Sequence, residues 1–168
     1  IGFEALTAVT TGGTNTAVGV RASAAITSAT NTTALGFDAL RNSTGIDNTA
    51  VGSTALDANT SGTNNSALGK NALGANTTAS NNTAIGKDAL AANTTGQSHT
   101  AIGQGALQSN TTSNNNVAVG RLSLGANTTG GSNTAIGYLA LDANTTADNN
   151  TAVGTEALGA NTTGHSNV

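Results

Sequence analysis

The sequence predicts an all-β protein, a parallel β-solenoid (β-roll) of ten coils of about seventeen residues each. Three observations predict it. One segment recurs along the whole chain at a fixed period, the mark of a stacked-repeat architecture. Apolar residues show no 3.6-residue period, while β-branched residues recur between Gly and Asn punctuation. Proline is absent, as suits a continuous ladder in which each backbone N–H has a partner.

The repeat is clearest in Asn82-Thr83-Ala84-Ile85-Gly86 and its continuation through Gly96. Its anchor glycines are Gly2, Gly19, Gly36, Gly52, Gly69, Gly86, Gly103, Gly120, Gly137 and Gly154. Successive anchors are 17 residues apart, except Gly36 to Gly52, which are 16 apart. From Gly19 to Gly154 each anchor is expected to make a tight exit turn, by positive φ or close backbone approach. Columns are numbered below by their offset from the anchor glycine.

The +1 column varies between large, charged and polar residues, so it is expected to face solvent. It holds all three aromatics, Phe3, Phe37 and Tyr138, never in adjacent coils. The +4 column is almost invariantly Leu, and Leu56, Leu73, Leu90, Leu107, Leu124 and Leu141 are its central core candidates. The +7 column begins the triplet Asn-Thr-Thr and supplies Asn59, Asn76, Asn93, Asn110, Asn127, Asn144 and Asn161, with Asn42 placed at its start. The first two coils have Val9 and Ile26 there instead. A small residue follows as a second corner. Then comes the clearest strand, Thr-Ala-aliphatic, whose Val51, Ile85, Ile102, Val119 and Ile136 are counted as core. Two or three short strands per coil are expected. The one-residue deletion is placed within Leu40-Arg41-Asn42. A slip inside a strand would turn every later side chain to the other face, so that segment reads as a corner. With coils about 4.8 Å apart, the array spans roughly 45–50 Å.

Charged residues make up 8% of the chain and net charge is −3, without basic or acidic runs. That is no nucleic-acid footprint, and no apolar run is long enough to cross a bilayer. Cysteine is absent. The chain starts and stops inside repeats, so residues 1–168 read as a single array, a window from a longer fibrous protein. Each coil offers two large aliphatics against seventeen residues to be ordered. Association of several chains, with Ala columns letting them pack closely, is the expected remedy.

No catalytic constellation, metal site or cofactor motif is found. His99 takes the pre-strand Asn position and His165 lies in a polar turn; both read as surface substitutions. The acidic residues do not recur coil after coil, as a carboxylate pair at set spacing would require. The calcium-binding β-roll pattern Gly-Gly-x-Gly-x-Asp is missing. Asn-x-Ser/Thr triplets are abundant. Those at Asn42, Asn59, Asn76, Asn93, Asn110, Asn127, Asn144 and Asn161 are candidates for an amide ladder or for glycans. A second, intermittent set at Asn31, Asn64, Asn81 and Asn149 reads as more exposed.

The pattern Asn-Thr/Ser-Ala-Val/Ile-Gly-x-x-Ala-Leu resembles the head repeats of trimeric autotransporter adhesins, and similar repeats in phage tail fibres. It is carried by Asn48-Thr49-Ala50-Val51-Gly52, Asn82-Thr83-Ala84-Ile85-Gly86, Asn133-Thr134-Ala135-Ile136-Gly137 and their equivalents over essentially the whole chain. The adhesin head repeat is shorter, lacking the Asn-Thr-Thr-Gly segment. The resemblance implies a left-handed parallel β-roll, three chains around one axis, and display outside the cell or on a virion surface. The expected function is a structural and adhesive extracellular fibre, not an enzyme. Its partners would be further copies of itself, a trimer by preference, and a host-surface or glycan receptor, with no nucleic acid and no membrane insertion. A glycosylated extracellular filament and an ice-binding solenoid are the alternatives. For ice binding, the adjoining Thr94 and Thr95 allow only one of each pair on a face.

Overall fold

The computed structural model describes residues 1–168. It contains no helix. Nine strands of three residues lie in one parallel sheet in chain order: β1 Thr16–Val18, β2 Thr33–Leu35, β3 Thr49–Val51, β4 Ser66–Leu68, β5 Thr83–Ile85, β6 Thr100–Ile102, β7 Val117–Val119, β8 Thr134–Ile136 and β9 Thr151–Val153. Equivalent residues pair in register, as Thr83 with Thr100, Ala84 with Ala101 and Ile85 with Ile102. The chain is a β-solenoid of stacked coils of about seventeen residues.

Each coil contributes one strand rather than two or three. The rest of the coil is a succession of turns, and these stack as regularly as the strand does. Of 103 backbone hydrogen bonds, 87 lie outside the strands. Around Leu90, for example, Asp88 N donates to Lys70 O at 3.0 Å, Leu90 N to Ala106 O at 3.0 Å, and Thr94 N to Thr111 O at 2.9 Å. Within the coil, Ala89 N closes a turn on Gly86 O, and Asn93 N closes one on Leu90 O. Corners therefore hold neighbouring coils together as much as the sheet does.

The turns require unusual backbone. Residues at +2, +4 and +12 adopt positive φ, and 29 of these are not glycine. Asn and Asp at +2 and +12, such as Asn71, Asp88, Asn81 and Asn149, tolerate this region because their short polar side chains bond locally. The +4 leucines do not, yet Leu56, Leu73, Leu90, Leu107, Leu124 and Leu141 all have φ of 50–52°. Each leucine in that region costs about 1–2 kcal/mol. Its side chain is fully buried, which contributes roughly 2–3 kcal/mol. Burial wins, and the +4 column is core as predicted.

The strand aliphatics are not core. Ile85, Ile102 and Ile136 are 37–41% exposed, and Val51 and Val119 are half-exposed. Strand residues alternate faces, so Thr83 and Ile85 must share one side and Ala84 the other. Ala50, Ala84, Ala101, Ala118 and Ala135 take the inner side, all fully buried. They pack in one cluster with the +3 alanines and the +4 leucines. With the leucine and polar columns filling the coil, a methyl group occupies the space left beneath the strand.

The short coil also differs from expectation. Asn59 Nδ2 donates to Ser43 Oγ at 2.8 Å, so Ser43 and not Asn42 occupies the +7 place. Thr44 N bonds to Thr60 O, and Gly45 stacks on Gly62. The missing residue is therefore the counterpart of Ser61, in an exposed outer turn where a shorter path leaves the strand register intact. Asn42 is exposed and donates to Asp57 O at 3.4 Å.

The anchor glycines are needed twice over. At Gly86, φ is +132°, and a Cβ would lie 2.5 Å from Gly103 O of the next coil. The same approach is made from Gly19 through Gly137, at 2.2–2.6 Å. Gly86→Ala should lower unfolding free energy by about 3 kcal/mol or more, from a forbidden φ and a backbone clash. Gly13→Ala, at an ordinary φ with open space around its Cβ, should be within about 1 kcal/mol of neutral. Urea titrations of the two variants test this, and equal effects would refute the close-approach argument.

Candidate functional site

No pocket opens on the surface, and nowhere do three or more His, Cys, Asp or Glu side chains converge. Two features carry the chemistry of this chain: a polar interior and an apolar outer face.

The polar interior consists of two ladders. In the first, the +7 amides link coil to coil. Asn76 Nδ2 donates to Asn59 Oδ1 at 2.8 Å, Asn93 to Asn76 at 3.2 Å, Asn110 to Asn93 at 2.9 Å, Asn127 to Asn110 at 3.2 Å and Asn144 to Asn127 at 3.0 Å. Asn161 continues the series at 3.4 Å and is half-buried. Most of these amides also donate to the +10 carbonyl of their own coil, as Asn93 does to Gly96 O at 2.9 Å. Asn59, Asn76, Asn93, Asn110, Asn127 and Asn144 are fully buried. This column is therefore a ladder, with no open amide nitrogen for a glycan. Ile26, also fully buried, holds the same column in the second coil.

The second ladder runs through the residue before each strand: Asn48, Asn65, Asn82, His99, Asn116, Asn133, Asn150 and Asn167. From Asn48 to Asn150 each side-chain acceptor, an amide oxygen or the His99 Nδ1, takes the backbone N–H of its counterpart one coil on, as Asn65 Oδ1 does from Asn82 N at 3.1 Å. From Asn48 to Asn133 the amide nitrogens donate across to the next coil's +10 carbonyl, as Asn82 Nδ2 does to Gly96 O at 3.0 Å, while Asn150 Nδ2 near the end of the array has no partner. The two ladders thus converge on the same carbonyls. The sequence assigns no role to this column beyond placing His99 in it; its near-constant Asn was the available signal.

His99 is a member of that ladder, not a surface residue; it is 1% exposed. Its Nδ1 accepts from Asn116 N at 3.2 Å, and its Nε2 lies 2.7 Å from Ser113 O. Those two contacts require the neutral ring with the proton on Nε2. The Asn110 amide nitrogen is a third neighbour, 3.1 Å from Nε2. Burial lowers the pKa of the ring, against the opposing pull of its bonds to Ser113 and Asn116. His165 is exposed, as expected, and its Nδ1 accepts from Asp148 N at 2.9 Å.

On the outside, the strand aliphatics form an unbroken row, one from each of the nine strands: Val18, Leu35, Val51, Leu68, Ile85, Ile102, Val119, Ile136 and Val153. A rank of Thr, with Ser66 and Val117 as substitutes, runs beside it on the same face. The second Thr rank, at +8, bonds between coils instead; Thr94 Oγ1 donates to Thr111 O at 3.0 Å. In the +1 column two aromatics are covered by arginines one coil earlier. Arg21 lies 5.0 Å from the Phe37 ring and grips Asp38 through Nε at 2.7 Å. Arg121 lies 5.6 Å from the Tyr138 ring. The aromatics are thus separate cation–π pairs and not a stacked stripe.

Compared with known proteins, the chain matches no family model, no curated protein and no solved structure.

Two outcomes follow for the polar interior. Asn93→Ala should lose about 2–4 kcal/mol, since it leaves the Gly96 carbonyl and neighbouring amides short of partners; chemical denaturation measures it. At His99 the folded state favours the neutral ring. Stability is therefore complete above the unfolded pKa near 6.5 and falls as pH drops below it, by at most about 1.4 kcal/mol per pH unit for one proton. His99→Asn should restore the ladder and flatten that slope between pH 6.5 and 5. An unchanged slope would show that His99 is not the titrating group.

Proposed function

We propose that this chain is a segment of a structural fibre, displayed outside the cell or on a virion, that assembles from several copies of itself. The observation that carries this reading is the aliphatic row. The coil buries alanine under the strand and leaves a Val, Leu or Ile outside in each of nine coils. At about 4.8 Å per coil the row is roughly 38 Å long. Contiguous apolar surface on that scale marks an interaction site more often than free surface.

A second copy is the partner best matched to such a row. Its side chains repeat at the inter-coil spacing, and another coil of the same repeat offers the same spacing. The fully buried strand and +3 alanines cannot mediate association; the aliphatic row takes that role. The trimer comes from the resemblance to adhesin head repeats, as do extracellular display and adhesion. A receptor, on a host surface or a glycan, would meet the varied +1 column, which lies outside the row.

Native mass spectrometry and sedimentation of the 168-residue chain test the assembly. The expected particle contains three chains. Replacing Ile85, Ile102 and Ile136 together by Lys should reduce it to one chain while the strand signal in circular dichroism persists, because these side chains point outward. A wild-type chain that stays single at micromolar concentration would overturn self-association. If that single chain also slowed ice growth, the flat Thr and aliphatic face would be an ice-binding surface instead.

A further inference from the structure

The Asn-x-Ser/Thr triplets number twelve, at Asn31, Asn42, Asn59, Asn64, Asn76, Asn81, Asn93, Asn110, Asn127, Asn144, Asn149 and Asn161. The fold divides them sharply. The seven +7 triplets put their amides into the first ladder, where six of the seven asparagines are fully buried and Asn161 is half-buried. The triplets at Asn31, Asn64, Asn81 and Asn149 lie in the +12 column, and all four residues are exposed. Asn42, the twelfth, is exposed in the short coil outside both columns, and its amide donates to the Asp57 carbonyl at 3.4 Å.

Local geometry sets this column apart. Asn31, Asn64, Asn81 and Asn149 have φ of 57–63°. Each lies two residues before a strand, exposed, between a half-buried and a fully buried neighbour. The residue between, such as Asn82, turns into the second ladder. The hydroxyl residue that completes the triplet, Thr33, Ser66, Thr83 or Thr151, opens the next strand on its outer face. Amide and hydroxyl therefore lie on the same exposed edge. Asn31 Nδ2 donates to the exposed Asp47 and Asn64 Nδ2 to the half-buried Thr63.

We propose that this edge is an acceptor for N-linked sugar, at Asn31, Asn64, Asn81 and Asn149, and that the ladder asparagines are not acceptors. The donor is a sugar activated as a diphosphate, transferred by a separate glycosyltransferase. The Asn amide nitrogen forms a bond to the sugar's anomeric carbon, and the bond from that carbon to the diphosphate oxygen breaks. The diphosphate leaves with the electron pair, and the amide proton passes to a base of the transferase. Asn64 and Asn81 are in adjacent coils about 4.8 Å apart, so they share room for one glycan. This inference does not depend on self-association, and either can fail alone.

The test is to secrete the full chain, fused to a flexible C-terminal tail bearing one control triplet, from a host with N-glycosylation machinery. Soluble folded protein is then mapped by glycopeptide mass spectrometry. Sugar is expected at Asn31, at Asn149 and at one of Asn64 or Asn81 per chain, with none at Asn59 through Asn161 in the ladder. Asn149→Gln should remove one glycan. Ser132→Asn, which completes an Asn-Asn-Thr triplet at an exposed +12 place with φ of 56°, should add one without lowering the melting temperature. A glycosylated tail beside a bare +12 column would overturn the proposal. So would folded protein carrying sugar on Asn93 or Asn127.

Discussion

The structure depends on the convergence of two asparagine ladders on one set of carbonyls inside the coil. The turn after the Asn-Thr-Thr triplet points its +10 carbonyl inward, where water cannot reach it. Such a group costs on the order of 1–3 kcal/mol if left bare. Gly96 O receives Asn93 from its own coil and Asn82 from the previous one. Asn is suited to both places because one side chain is at once donor and acceptor, so a column of them links each coil to the next and still serves a carbonyl. Ser43 and His99 show what substitutes: each brings an acceptor toward the next coil.

Stacking also explains how the chain sustains a backbone that isolated peptides avoid. Four residues in each coil lie at positive φ, the anchor glycine and three others, a cost repeated along the whole array. What offsets it is repeated at the same period: a buried leucine, two ladder amides and inter-coil backbone bonds at the corners. No single coil holds these gains, because nearly all of the partners belong to its neighbours. The anchor glycine shows the same logic, since its missing Cβ is where the next coil's carbonyl lies. Regular stacking is thus both the source of the strain and its support.

A narrow interior has a consequence for the exterior. With leucine and amides filling the coil, only alanine fits beneath the strand, and the larger aliphatic is directed outward. Four open asparagines, Asn31, Asn64, Asn81 and Asn149, lie at the +12 turns, at positive φ. The outside of the molecule thereby gains an apolar row and, at its margin, a polar edge of different chemistry. Neither needs a pocket, and both extend along the solenoid axis.

Length of coil, parallel stacking, the leucine core and the glycine turns were all legible in the sequence, because each depends on a column that repeats at one period. The fold class followed from that period without any contact being known. Three matters were not legible. Alternation shows that Thr83 and Ile85 share a face, but not which face is inside; the volume left by Leu90 and the ladders decides that for Ala84. A polar column reads the same whether it lies in solvent or in a ladder, so His99 reads as a surface residue until the inward +10 carbonyls fix the direction of its column. The one-residue deletion aligns equally well before or after Asn42 in sequence, and only the Ser43 to Asn59 contact places it in the outer turn. Sequence by itself determined the repeat and therefore the architecture; tertiary structure decided inside from outside, because that choice depends on the volume and hydrogen-bond partners supplied by neighbouring coils.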